Sequence, residues 1–179
     1  MSEPRATSLP TPTTQPIILD TNIVQYSAHK DIGPEILNYL IELTRRQFTL
    51  SISNITIFEI LSGSTIEQET KLLETLKLFS TYQVTDNVLL VASRISTLYG
   101  KERLLSQNIS VPDKIITATA IITNSLVMTA NLNDFPRPFL IEVEEKLIYY
   151  QQNNKRCVKD IMLLGPNYPF IQESFNNRP

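Results

Sequence analysis

The chain has 179 residues, 42% of them hydrophobic, and a formal net charge of −2. That length fits one domain with a sizeable core, no run of eighteen apolar residues is present to cross a membrane, and charge alone gives no general affinity for nucleic acid. One cysteine (Cys157) and one histidine (His29) exclude an internal disulfide and a Cys/His zinc site, and any Ser–His–Asp triad would have to use His29 without a nucleophile-elbow motif.

The first stretch, "MSEPRATSLPTPTTQP", is rich in Pro, Thr and Ser. It lacks the apolar segment of a secretion signal and reads as a disordered tail over 1–16, with a cytoplasmic home expected. "PIILDTN" predicts a short buried strand at 17–20 that ends in an acid. "GPEILNYLIELTRRQ" has helical spacing and opens at Gly33 and Pro34. "FTLSIS" predicts a strand at 48–53, and Ser53 or Asn54 caps a helix over about 55–62 that stops at Gly63. "STIE" (Ser64 to Glu67) has capping-box form and opens a helix to about Phe79. "YQV" reads as a short strand. Asp86 then caps a helix with Val88, Ala92, Ile95 and Leu98 inward, and Pro112 opens another, to about Asn124. "SLVMTA" predicts a strand at 126–130 and "FLIEV" one at 139–143. "KLIYYQQNNKRCVKDIMLLG" reads as two strands around an Asn153–Asn154 turn.

Apolar strands alternating with helices argue for a three-layer α/β/α sandwich around a mostly parallel sheet, with a C-terminal β-hairpin added. The expected division is a tail at 1–16, a domain at 17–145 and an extension at 146–179. That hairpin would extend the sheet edge or form a dimer interface.

In such a sheet the strand ends and the following helix starts share one rim, where ligands bind. Asp20 ends the first strand. Glu59 lies in the helix after the second strand and leans back to the rim. Asp113 sits in the first turn of the helix before "SLVMTA", and Asp134 follows that strand. Two charges ~5 Å apart at an effective dielectric near 20 cost on the order of 3 kcal/mol. The immediate cationic neighbours are only Lys114 and Arg137, the candidates for phosphate contact. Hard divalent cations, Mg2+ or Mn2+, would offset the repulsion and suit phosphodiester hydrolysis.

Each acid also has an ordinary reading. Asp20 can simply cap a helix, Asp113 can answer the helix dipole, Asp134 can be a loop acid, and Glu59 can face solvent. Thr21, Asn22, Thr129 and Asn131 lie at the same rim, either as turn residues or as groups that orient the carboxylates. Asp31, Asp86, Glu67, Glu142, Glu144 and Glu145 do not fit the rim and read as caps or surface. Tyr149 and Tyr150 either pack in the hairpin or stack on bases.

"IILDTNIV", "ISNITIFEIL", "PDKIITATAI" and "LVMTANLNDF", in this order, resemble the motifs of PIN-domain ribonucleases, nearest to the VapC-like toxins of toxin–antitoxin pairs. The resemblance implies metal-binding, catalytic acids at Asp20, Glu59, Asp113 and Asp134, supported by Thr129 and Asn131. It implies an Mg2+- or Mn2+-dependent endoribonuclease that cuts by metal-assisted attack of water on phosphorus. It also implies an RNA substrate, a homodimer and a cognate antitoxin. The alternative is a non-catalytic RNA-binding or assembly module on the same fold.

Overall fold

A computed structural model describes residues 14–102 and 109–176. Most of the tail expected at 1–16 lies outside them. The strands are β1 (Pro16–Leu19), β2 (Thr49–Ser53), β3 (Ser80–Tyr82), β4 (Leu126–Thr129), β5 (Leu140–Gln152) and β6 (Lys155–Pro166). The helices are α1 (Thr21–Ser27), α2 (Gly33–Arg45), α3 (Asn54–Ser62), α4 (Ile66–Leu76), α5 (Asp86–Glu102), α6 (Val111–Thr123) and α7 (Tyr168–Asn176), with a 3-10 turn at Leu132–Asp134.

The strands form one sheet in the order β3-β2-β1-β4-β6-β5. β1 pairs in parallel with β2 and β4, and β2 with β3. β6 runs antiparallel to β4, and β5 antiparallel to β6. Alternation of side chains along each strand sends neighbours to opposite faces. Ile17, Leu19, Met128 and Leu163 therefore pack with Ile23 of α1 and Ile36, Leu40 and Leu43 of α2. Ile18, Val127 and Leu164 pack with Ile116 and Ala120 of α6 on the other face. Val88, Ala92, Ile95 and Leu98 of α5 are buried against Ile115 and Ala118 of α6, with Phe139 and Ile171. The result is the three-layer sandwich that the alternation of strands and helices predicts, hairpin included.

Several element ends differ from the sequence expectation, each for a local reason. β3 falls at Ser80–Tyr82 and overlaps "YQV" only at Tyr82, because Val84 N–H goes to Asn54 Oδ1 at 3.1 Å and leaves the ladder. α4 starts one residue late. Ser64 Oγ donates back to Leu61 O at 2.8 Å, and Thr65 with Gln68 forms the capping box instead. Thr85 Oγ1, not Asp86, accepts at the start of α5, from Val88 N–H at 3.4 Å. α1 and α7 are additional helices. "FLIEV" and the first hairpin strand merge into one β5, irregular at Val143. The expected division at 145 thus falls inside β5. Asn153 (φ 50) and Asn154 (φ 61) both take left-handed conformations, the backbone that a two-residue hairpin turn with the right twist requires.

Candidate active site

Asp20 follows β1 directly and caps α1, and its side chain is nearly buried at 5% exposure. The short apolar run Ile17–Leu19 is locked between β2 and β4, so the acid emerges at their common carboxyl rim. Three donors hold it there. Thr21 N–H donates to Oδ1 at 2.6 Å, while Asn22 Nδ2 (2.5 Å) and Thr129 Oγ1 (2.8 Å) donate to Oδ2. Asn22 is itself held: its Oδ1 accepts Ala130 N–H at 3.1 Å, which ties α1 to the end of β4.

Glu59 reaches back from α3 as expected, and its Oε2 accepts the Thr21 hydroxyl at 2.5 Å. At the other side, Asn131 N–H donates to Thr129 Oγ1 at 3.0 Å, and Asn131 Nδ2 donates to Asp134 Oδ2. Glu59, Thr21, Asp20, Thr129, Asn131 and Asp134 therefore form one chain of contacts along the rim. All four polar residues named beside the acids take part in it.

Asp113 joins this group through charge rather than through a shared hydrogen bond. It lies in the first turn of α6, where Ser110 Oγ donates to its Oδ2 at 2.5 Å and accepts its N–H at 3.2 Å. Sequence reasoning passed over Ser110, although a serine just before "VPD" is a helix-cap signal.

Burial pushes the Asp20 carboxyl up to about 7, against the lowering effect of the Thr129 bond, and the charges of Asp113 and Glu59 push it further the same way. Burial likewise raises Asp113 to about 6, assisted by the charges of Asp134 and Glu59. The four acids thus act on one another across a single rim. Lys114, half-buried next to Asp113, and Arg137, exposed beyond the 3-10 turn, form no salt bridge among the described residues. Among the described residues no salt bridge offsets the negative charge of these acids.

As the side chains stand, no three His, Cys, Asp or Glu groups among the described residues converge as a ligand set for one ion. Each carboxylate is turned into hydrogen bonds of its own. The donor chemistry nevertheless fits a hard divalent cation: the candidate ligands are carboxylate oxygens, burial and like charge make two of them harder to ionise, and a cation would relieve both costs.

Among curated proteins none matches the chain. Solved structures do. One is FitAcB from Neisseria gonorrhoeae, with 22% identity, a TM-score of 0.54, and coverage of 66% of this chain and 90% of that one. Another is VapBC2 from Rickettsia felis bound to a DNA fragment from their promoter, with 23% identity, a TM-score of 0.53, and coverage of 66% and 89%. At these identities the likeness is one of fold. The sequence pattern of the PIN domain matches residues 17–138, a span that contains Asp20, Glu59, Asp113 and Asp134. The rim that carries the four acids is therefore the rim of a known family's fold, and the chain belongs to the PIN domain family.

Proposed function

We propose that the protein is a divalent-metal-dependent endoribonuclease, acting in the cytoplasm as the toxin of a toxin–antitoxin pair. The observation that carries this reading is the uncompensated acid rim, in which burial and mutual charge raise Asp20 and Asp113. A fold keeps such a cluster at a cost that only a cation or a proton offsets. Asp20, Asp113 and Asp134, with Glu59 directly or through water, would hold Mg2+ or Mn2+. The bound ion would supply a more acidic water and charge neutralisation at phosphorus. The chain's own residues do the positioning. Asn22 and Thr129 fix the Asp20 carboxylate, Thr21 fixes Glu59, and Asn131 fixes Asp134. Lys114 and Arg137 are the candidate cations for the phosphates of RNA.

The toxin assignment is supported by the VapC-like order of the four motifs and by VapBC2 among the structures that share the fold. On that reading the protein forms a homodimer and pairs with an antitoxin. Cleavage of labelled RNA in Mg2+, in Mn2+ and in EDTA, for wild type and Asp20→Asn, tests the nuclease. Cutting that requires metal and falls by at least a hundredfold in Asp20→Asn is expected. Equal cutting by both proteins would end the proposal, and absence of cutting with RNA still bound would favour the non-catalytic module.

A further inference from the structure

β5 is the last strand of the sheet, and no strand among the described residues pairs with its outer side. Such an edge presents a row of open N–H and C=O groups to any other extended chain, and proteins blunt it with charges and bulges. β5 carries both, but only in its first half. The register shifts between Glu142 and Glu144, and the charged residues Glu142, Glu144, Glu145 and Lys146 crowd there. From Leu147 to Gln152 the strand reads "LIYYQQ", without charge, proline, glycine or bulge. A β-prone, uncharged run of this kind pairs readily with its like.

Alternation fixes the faces of this segment. Ile148 and Tyr150 pack on the side of α1 and α2. Leu147 and Tyr149 point the other way and are 44% and 54% exposed. Glu35, Asn38 and Glu42 of α2 line a groove with the four consecutive residues Lys146–Tyr149. A groove that touches residues of both faces lies at the strand edge itself, so α2 flanks this edge and leaves it open.

The occupant that fits is a second copy. Between the irregularity at Val143 and the turn at Asn153 the strand runs unbroken over Glu144–Gln152, and Ile148 is its midpoint. An antiparallel two-fold axis through Ile148 pairs that whole stretch with its equivalent, and residues opposite each other share a face. Glu144 then falls opposite Gln152, Glu145 opposite Gln151, Lys146 opposite Tyr150 and Leu147 opposite Tyr149. No like charges meet, and each exposed leucine meets an exposed tyrosine, a favourable cross-strand pair. An axis through Glu144, Glu145 or Lys146 would set that charge against itself. Glu35, in no salt bridge among the described residues, lines a groove with Tyr150, beside the place that Lys146 of the second copy takes.

We propose that two copies of this chain associate through the outer edges of β5, around a two-fold axis at Ile148, and join their six-stranded sheets into one. This contact gives the homodimer of the toxin reading its surface; it rests on that reading for the dimer alone and needs neither metal nor RNA. The paired stretch is small beside the roughly 20–30 residues a side of a standard interface, so the association is weak and depends on concentration.

The experiment is sedimentation velocity of the full chain over a concentration series, in EDTA and without RNA. The wild type should pass from monomer to dimer with a Kd on the order of 10 µM. Leu147→Lys with Tyr149→Lys sets like charges opposite each other twice and should weaken association about tenfold or more. Leu147→Glu with Tyr149→Glu should do the same. Mixing the two variants should restore a dimer, because each new lysine then faces a glutamate. If either variant fails to fold, Glu145→Lys with Gln151→Lys, the next opposed pair on that face, supplies the same like-charge test. A wild type that stays monomeric throughout the series would overturn the proposal. So would a dimer that the variants leave unchanged in strength, which would keep the homodimer of the toxin reading and place it on another surface. RNA cleavage is not read, so failure of the nuclease reading leaves this result untouched.

Discussion

Asp20 shows how much of a site one side chain can carry. An unperturbed aspartate titrates near 3.8, while Asp20 in the fold is pushed up to about 7 and Asp113 to about 6. Between those values the folded chain holds protons that the unfolded chain releases, so stability falls as pH rises. In EDTA this contribution is fully present below about pH 3.8 and lost by about pH 7. We expect the unfolding free energy of the metal-free protein to fall between pH 5 and 7 by an amount on the order of 2–4 kcal/mol, read as a lower melting temperature. Glu144 moves the opposite way, held down by Arg46, and its contribution is lost only as pH falls below the usual carboxylate range, outside this window. Asp20→Asn should flatten the profile and, at pH 8 in EDTA, exceed the wild type in stability. Mg2+ should raise the wild-type melting temperature at pH 8 and leave Asp20→Asn nearly unmoved. A flat wild-type melting profile would show that these acids do not bear on one another. Asp20, Asp113, Asp134 and their polar neighbours were legible because each sits where a strand ends or a helix starts, and Glu59 because it lies within reach of that rim from inside α3. Which hydroxyl meets which carboxylate was not, since Thr129 reaches Asp20 across 109 positions of sequence.

At the scale of elements, caps and close approaches decide where the chain turns. Gly33 opens α2 at a point where an added Cβ would lie 2.7 Å from Ser27 O, a backbone atom that cannot swing aside. Gly33→Ala should therefore cost about 1–3 kcal/mol, measured by denaturant unfolding. Gly63, which ends α3, meets nothing nearer than 3.8 Å, and Gly63→Ala should lie within about 0.5 kcal/mol of wild type. Helix interiors were readable from spacing alone, as Val88, Ala92, Ile95 and Leu98 of α5 demonstrate. Starts were less so. "STIE" and "TIEQ" both satisfy the capping pattern, and the choice fell to Thr65 because the Ser64 hydroxyl was taken by the end of α3.

Across the whole molecule, the C-terminal strands belong to the core. Ile161, Met162, Leu163 and Leu164 of β6 are buried, and β6 covers the flank of β4. Burial of one such side chain contributes about 1.5–3 kcal/mol, against a total stability of about 5–15 kcal/mol. A chain ending at residue 145 should therefore fail to fold, as seen by circular dichroism. Replacing only 149–158 with a tight turn, which leaves the β4 pairing intact, should keep a cooperative melt. Cooperative folding of the chain that stops at 145 would show that β6 is dispensable.

Most strands and helices, α1 and α7 apart, were readable from the sequence alone, which also set Asp20, Asp113 and Asp134 at segment ends and Glu59 inside α3, because hydrophobic period and cap chemistry are local. It also marked the Asn153–Asn154 turn, since few residues tolerate two successive left-handed conformations. The tertiary structure alone shows that β6 lies antiparallel beside β4, that β5 closes the sheet edge, and that the β5–β6 hairpin continues past the end of β4. An apolar strand pattern fits many neighbours equally well, and the pairing that wins is set by packing between residues far apart in the chain.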